Sequence, residues 1–168
     1  MRVKNGCQSV DHKPDNMLRG SCSKRMDLLT LPPQTTQLSL YCADIDDDDL
    51  KRLQNLPLRQ LSLQCVRISD RGLSYLSAMH DLIDLNLTGT KITDQGLHYL
   101  SSLRQLERLN LWGARSLNGE GLKYLQDLPR LRWLNLGGAD LDELALFYIG
   151  KLRSLQALEI CVCSLPEQ

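Results

Sequence analysis

Four consecutive aspartates, Asp46 to Asp49, form the densest group of ligand-type side chains in the chain. Four carboxylates could bind a cation, but a calcium loop needs spaced oxygen ligands and a glycine at its turn, and this run has neither. The run follows an apolar residue and precedes leucines at helical spacing. Carboxylates in the first turn of a helix complement the helix dipole. The sequence therefore predicts a helix start here rather than a metal site.

Cysteine and histidine side chains are the remaining candidates for metal binding or catalysis. They are Cys7, Cys22, Cys42, Cys65, Cys161 and Cys163, with His12, His80 and His98. The cysteine spacings match neither a metal site nor a disulfide framework, so we expect thiols that pack as small apolar side chains. The sequence places no histidine beside a nucleophile and a third orienting group. It therefore predicts no enzyme activity, no metal and no cofactor.

Charge and hydropathy argue against two classes of partner. The 168 residues include 20 Lys and Arg and 20 Asp and Glu, so the formal net charge is zero. A general nucleic-acid or anionic-membrane binder would carry a clustered basic excess. No apolar run approaches the ~20 residues that cross a bilayer, and residues 1–6 lack the apolar stretch of a secretory signal. We expect a cytoplasmic protein, in its own cell or in a host cell, without nucleic-acid or membrane partners.

Leucine-rich segments recur along the chain at a nearly constant spacing. They are Leu38 to Leu40, Leu58 to Leu63, Leu82 to Leu87, Leu106 to Leu111, Leu131 to Leu136 and Leu155 to Ile160. Counted from the last apolar residue of each, the steps are 23, 24, 24, 25 and 24 residues. A fixed period of this length indicates a solenoid, in which each unit buries its apolar face against its neighbours.

Each repeat predicts a strand, a turn and a helix. Alternating leucines indicate a short strand, and small residues after it allow a turn. A helix N-cap residue follows, then a small residue that suits close helix-to-strand packing, then leucines at helical spacing. The N-cap residues are Asp46, Ser69, Thr93, Asn118 and Asp142, and the small residues include Gly72, Gly96, Gly121 and Ala145. The predicted fold class is α/β: a solenoid with a parallel concave sheet of about six short strands and helices on the convex face.

The chain resembles the leucine-rich repeat family over residues 22–165. Ile68 to Leu73 and Ile92 to Leu97 are I-S-D-R-G-L and I-T-D-Q-G-L, similar to the I-T-D-x-G-L variant of the repeat. This variant occurs in bacterial repeat proteins and in the repeat tails of F-box ubiquitin-ligase adaptors. Other residues, among them Ala43 and Ala114, replace the usual Asn or Cys after the strand, which resembles the bacterial type. The resemblance implies a non-catalytic protein-binding scaffold without an F-box, and names no partner.

The two ends of the chain depart from the repeat. Residues 1–20 carry no periodicity, so we expect an irregular or disordered tail. A repeat domain at 21–168 then comprises a capping helix at 21–33 and the repeats at 35–165. The last strand has no covering helix, and an open edge invites pairing. Either another chain, such as a second copy, or the chain's own C-terminal tail, with Val162 and Leu165 packed under it, is expected to cover this edge. The predicted assembly patch consists of Leu144, Phe147 and Leu158.

Strand residues that alternate with the leucines face the open concave surface. Both tryptophans fall there, near arginines, and these residue types are the most enriched at binding hot spots. Two alternatives remain open: each Trp covers a neighbouring strand or packs against a terminal segment, and the asparagines of one row bond one another rather than a partner. The predicted protein-binding residues are Tyr41, Gln64, Asp84, Arg108, Asn110, Trp112, Arg132, Trp133 and Asn135.

The sequence therefore predicts a protein-protein interaction scaffold that binds an unidentified partner through its concave face, as a secreted bacterial effector or an adaptor. The alternative is a structural or assembly subunit, joined to another chain or to a second copy through its C-terminal end. A metal- or redox-linked protein is a third class, because Cys42 and Cys65 occupy the same position in adjacent repeats.

Overall fold

One parallel sheet organises the computed structural model, which describes the backbone of residues 2–4 and 18–20 together with residues 28, 31–41 and 44–160. The strands are β1 (Arg2–Lys4), β2 (Leu18–Gly20), β3 (Gln37–Leu40), β4 (Gln60–Ser62), β5 (Asp84–Asn86), β6 (Arg108–Asn110), β7 (Trp133–Asn135) and β8 (Ala157–Glu159). They lie in the order β1-β8-β7-β6-β5-β4-β3-β2. The six repeats supply β3 to β8, as predicted, and the N-terminal segment supplies both edge strands.

The helices lie on the other side of the core. They are α1 (Asp47–Leu50), α2 (Asp70–Leu76) and α3 (Glu143–Ile149), with 3₁₀ helices at Lys51–Leu53, Gly96–Ser102 and Glu120–Asp127. The leucine spacing predicts ordinary helices throughout, so the 3₁₀ segments are a departure. A 3₁₀ helix is narrower and rises further per residue, which lets a short return follow the close spacing of the strands. Among the described residues, no helix is long and apolar enough to cross a membrane.

Leucines in register across the strands form the centre of the core. The column consists of Leu38, Leu61, Leu85, Leu109, Leu134 and Leu158. Each of these side chains is at most 3% exposed. Fully burying a leucine contributes about 1.5–3 kcal/mol, and a slip of one residue would turn the whole column to the opposite face. The leucine pattern therefore fixes the register, as the sequence predicts.

The turn after each strand uses a left-handed backbone. Gly89, Gly113 and Gly138 have φ values of 67°, 73° and 75°, and Cys65 holds the equivalent position with φ 57°. Cys65 is exposed, so the prediction that it is a buried small residue is wrong. The reason is that this position lies on the outside of the turn, where backbone conformation rather than packing selects glycine. Its equivalent in the first repeat, Cys42, lies outside the described residues.

Neighbouring repeats are joined at the N-termini of their helices. The carboxylate of Asp47 accepts from the backbone N–H of Ser69 at 2.8 Å and from its hydroxyl at 2.6 Å. Asp70 accepts in the same way from Thr93, at 2.8 and 2.6 Å. Charge-assisted hydrogen bonds of this kind are stronger than neutral ones. The aspartate at this position therefore ties each of these two repeats to the next.

The glycine of the motif makes room for this aspartate. A methyl group on Gly72 would lie 2.5 Å from Oδ1 of Asp47, and one on Gly96 would lie 2.2 Å from Oδ1 of Asp70. The sequence predicts small residues here for helix-to-strand packing. That reason is wrong, because the atom excluding a side chain belongs to the preceding repeat's carboxylate.

Both N-terminal strands lie where the sequence predicts an irregular tail. β2 pairs in parallel with β3 at one edge of the sheet, and β1 pairs in parallel with β8 at the other. The irregular tail is therefore wrong at these six residues, and the edge of β8 is occupied rather than open. Most of the predicted capping helix at 21–33 lies outside the described residues. At its end, Pro32 begins a turn closed by Thr35, whose backbone N–H donates to the Pro32 carbonyl at 3.0 Å.

Candidate functional site

The exposed side of the sheet presents three rows of side chains, which together are called the sheet face below. The first row consists of Gln37, Gln60, Asp84, Arg108, Trp133 and Ala157. The second consists of Ser39, Ser62, Asn86, Asn110, Asn135 and Glu159, in the same register. Just beyond the strands, the third consists of Tyr41, Gln64, Thr88, Trp112 and Gly137. The two tryptophans and the charged residues of these rows lie on, or just beyond, β5 to β8.

Arg108 links two neighbours on the first row. Its Nε donates to Oδ2 of Asp84 at 3.2 Å, and its guanidinium carbon lies 4.4 Å from the centre of the Trp133 ring. The Asp84 and Arg108 side chains remain 38% and 36% exposed. An exposed ion pair contributes about 0–1 kcal/mol, and an exposed cation–π contact about 0.5–1 kcal/mol. The main effect of these contacts is therefore to order the side chains on the surface.

Trp112 is the most exposed tryptophan, at 45%. One edge of its indole lies against the backbone of the next strand, since a methyl group on Gly137 would be 2.6 Å from Cδ1 and 3.0 Å from Nε1. Trp112 thus covers a neighbouring strand, as one alternative predicts, and still exposes much of its ring to solvent. Trp133 is half-buried beside Arg108. Neither indole is sealed inside the core.

The asparagines of the second row bond to their own strands. Oδ1 of Asn86 accepts from the N–H of Thr88 at 2.9 Å, Asn110 from Trp112 at 3.0 Å, and Asn135 from Gly137 at 2.9 Å. The predicted bonding between asparagines is therefore wrong, because the local turn competes successfully for each amide oxygen. Asn135 also donates from Nδ2 to Glu159 at 3.0 Å. The oxygens of Asn86 and Asn110 are engaged, so these residues offer N–H donors to a partner.

The structure brings six of the nine predicted binding residues together on, or just beyond, three adjacent strands. They are Asp84, Arg108, Asn110, Trp112, Trp133 and Asn135, named here the tryptophan cluster. Arg132 lies just before β7, with Nη1 4.0 Å from the Glu107 carboxylate. Gln64 follows β4, and Tyr41, which is 58% exposed, follows β3 farther along the sheet. Gly137, on which the Trp112 indole rests, is absent from the predicted binding residues. The one sequence feature that indicates it is a glycine within a row of larger side chains.

The aspartate run has structural partners at every position. Asp46 is the N-cap of α1 and accepts from the N–H groups of Asp48 and Asp49. Asp49, 1% exposed, accepts in return from the N–H of Asp46 at 3.1 Å. Asp48 pairs with Arg71, whose pKa is raised by a hydrogen bond with Tyr75 and by the charge of Asp48. The prediction of a helix start is confirmed. In the described part of the chain, no group of three metal-ligating side chains occurs.

A second exposed surface lies on α3. Leu144, Leu146 and Phe147 are 51%, 60% and 57% exposed, and this trio is named the α3 patch. The helical spacing predicts Leu146 in the core, as its equivalents Leu50, Leu73, Leu97 and Leu122 are, each 0% exposed. That prediction is wrong because none of the described helices packs on the far side of α3. Leu158, predicted in the assembly patch, is only 3% exposed, because the strand alternation turns it into the core.

Similarity to known proteins is seen in structure rather than in sequence. No protein-family model matches the chain, and no curated protein sequence matches it. The structure is similar to internalin C2 of Listeria monocytogenes, with a TM-score of 0.57, 18% identity, and coverage of 74% of this chain and 61% of that one. The chain has the leucine-rich repeat fold. Internalin InlF of the same species gives a TM-score of 0.55, 20% identity, and coverage of 81% and 44%.

A plant protein shares the same fold. The plant peptide hormone receptor RGFR1, solved in complex with RGF2, gives a TM-score of 0.52, 23% identity, and coverage of 76% of this chain and 20% of the receptor. The chain thus spans less than two thirds of each of these three proteins. These identities show the fold alone. The I-T-D-x-G-L assignment stays a prediction.

Proposed function

We propose that the chain is a non-catalytic scaffold that binds a protein partner through its sheet face. The observation that carries this proposal is the tryptophan cluster, in which Arg108 packs on the half-buried Trp133 of the adjacent strand and the more exposed Trp112 follows the same strand as Arg108. Tryptophan and arginine dominate binding hot spots because they combine large apolar area with directional hydrogen bonds. In a protein with this fold, such a cluster is best explained as a docking site.

The cluster is ordered before a partner arrives. Trp112 rests on Gly137, and Arg108 is held between Asp84 and Trp133. Immobilising a flexible side chain at an interface costs about 0.5–1.5 kcal/mol, and this cost is partly met within the folded scaffold. The sheet face carries both acidic and basic side chains, namely Asp84, Arg108, Arg132 and Glu159. This mixture favours a partner surface of mixed charge rather than a polyanion.

The role of the scaffold as a secreted bacterial effector or an adaptor belongs to the same proposal. It is supported by the resemblance of the repeat motif to bacterial proteins and to adaptor tails. A cytoplasmic location is likewise proposed, because the cysteine spacings match no disulfide framework. Fractionation of cells that carry the tagged chain, with secreted and host fractions analysed separately, tests both points.

Substitution of the tryptophans tests the sheet-face proposal. A partner is first identified by affinity capture and then titrated against wild type, Trp112→Ala and Trp133→Ala. We expect at least one of these variants to weaken binding by about 2 kcal/mol, which is about 30-fold, because a hot-spot side chain is lost. Phe147→Ala is the matched control, since it removes an exposed aromatic ring from α3, away from the sheet face. Unchanged affinity in both tryptophan variants would refute a binding site on the sheet face.

A second candidate function is an assembly subunit joined to another chain through its C-terminal end. The specific observation is Leu146, which is 60% exposed although the leucine at this position is fully buried in every preceding repeat. Light scattering of Leu146→Glu and Phe147→Glu tests this candidate. We expect loss of assembly with full retention of sheet-face binding, and assembly that survives both charges would exclude the α3 patch.

A further inference from the structure

The C-terminal edge of the sheet is covered by the N-terminal strand. β1 pairs in parallel with β8, with Arg2 opposite Ala157, Val3 opposite Leu158 and Lys4 opposite Glu159. Val3 therefore takes the register position that a leucine occupies in each repeat strand. The three-residue pairing continues the repeat ladder by one strand, and it supplies β8 with the backbone partner that an open edge lacks.

The tether behind β1 makes pairing within one chain demanding. β1 and β2 lie at opposite edges of the eight-stranded sheet, seven strand spacings apart, which is about 34 Å at ~4.8 Å per spacing. Residues 5–17 connect them. A connection of this length spans at most roughly 48 Å when fully extended. Pairing of β1 with its own β8 therefore uses most of the reach of the connection.

Release of β1 leaves a site of defined chemistry. Three paired residues at the edge of a sheet open at low cost in free energy, compared with strands in its middle. The exposed edge of β8 then offers parallel backbone donors and acceptors beside the buried Leu158. The segment that fits this register is Arg2–Lys4, and every copy of the chain carries one.

We propose that the chain forms a strand-exchanged dimer, in which β1 of each copy pairs with β8 of the other. Exchange of an identical element is a low-cost route to a dimer because it reuses contacts that already exist within the monomer. The two pairings are equivalent by two-fold symmetry, so the assembly closes at two copies. This proposal is independent of the sheet-face function and of the α3 patch.

Paired prolines in β1 test the exchange. Successive N–H groups of a strand point to opposite sides, so Val3→Pro/Lys4→Pro removes at least one donor towards β8. Arg19→Pro/Gly20→Pro is the matched control, because it makes the same change in the edge strand β2. Light scattering over about a hundredfold range of concentration measures the dimer. We expect wild type and control to dimerise, and the β1 variant to remain monomeric with at least tenfold faster amide exchange at 157–159.

A mixture of isotope-labelled and unlabelled copies shows which chain provides the strand. Contacts between residues 2–4 of one copy and 157–159 of the other, seen in isotope-filtered NMR spectra, are the expected result. A wild type that is monomeric at every concentration would overturn the proposal. So would a dimer that persists in Val3→Pro/Lys4→Pro, including one that is lost only in Leu146→Glu or Phe147→Glu.

Discussion

At Gly96, a methyl group would lie 2.2 Å from a carboxylate oxygen of Asp70, which already binds Thr93. The chain contains the complementary arrangement two repeats later. There, Gly119 replaces the aspartate and Ala145 replaces the glycine, and a methyl group on Gly119 would lie 2.2 Å from Cβ of Ala145. The two positions therefore share one volume, and filling either one requires the other to be small.

Substitution of this pair is the first prediction. Gly96→Ala should lower the free energy of unfolding by about 2 kcal/mol, because the added methyl displaces the Asp70 carboxylate. Asp70→Gly/Gly96→Ala reproduces the Gly119–Ala145 pair, so it should be more stable than the sum of the two single changes indicates. Urea unfolding of all three variants measures the coupling. Strict additivity would show that the two side chains do not compete.

Replacement of Cys65 by glycine is the second prediction. Cys65 is the one non-glycine residue with positive φ in the described part of the chain, and the left-handed region costs an L-residue about 1–2 kcal/mol. Replacement by glycine removes this cost, but part of the stabilisation is offset because glycine loses more conformational entropy on folding. We therefore expect Cys65→Gly to raise the free energy of unfolding by about 0.5–1 kcal/mol. Gly89→Ala at the equivalent turn should be destabilising when measured in the same way.

Helix N-termini are the elements that hold the repeats together, and Asp94 shows this most clearly. Its carboxylate accepts from the backbone N–H groups of Asn118, Gly119 and Gly121, at 2.8, 3.1 and 2.6 Å. Asp94→Ala, the third prediction, should cost about 2–3 kcal/mol because these donors lose their acceptor. Asp140→Ala removes an exposed carboxylate elsewhere in the chain and should be neutral. Thermal and urea unfolding distinguish the two outcomes.

Prediction from sequence succeeds for elements that depend on local alternation. The strands and their register follow from the leucines, because apolar residues at every second position have only one face to bury. The same reasoning cannot separate a 3₁₀ helix from an α-helix at Gly96–Ser102, since both bury residues three positions apart. It also cannot identify the partner of Asp70, which lies in the next repeat.

At the scale of the whole molecule, the two ends of the repeat stack differ from its middle. α2 packs between neighbouring helices, whereas α3 exposes Leu146 on its outer side. In a linear array of repeats, a terminal unit has one stabilising interface instead of two. The fourth prediction is that amide protons of α3 exchange about tenfold or more faster than those of α2 in native-state hydrogen exchange. Equal protection would show that another segment covers α3.

The candidate site is only partly predictable from the sequence, because its contacts join side chains of neighbouring repeats. Alternation along a strand places Trp112 and Arg108 on the exposed side. It does not show that Trp112 lies against Gly137 or that Arg108 contacts Trp133, because those contacts depend on which rotamers neighbouring strands allow. The pairing of β1 with β8 joins residues far apart in sequence, and three residues carry too little pattern to reveal it.

The steric fit between the aspartate of one repeat and the glycine of the next also limits how such a protein can change in length. A unit can be duplicated or excised by recombination wherever an aspartate again meets a glycine, as at Asp47–Gly72 and Asp70–Gly96. The Gly119–Ala145 joint has the opposite fit. A shortened gene that brought Asp94 opposite Ala145 would encode a steric clash, so this joint marks a unit that is not freely interchangeable with the others.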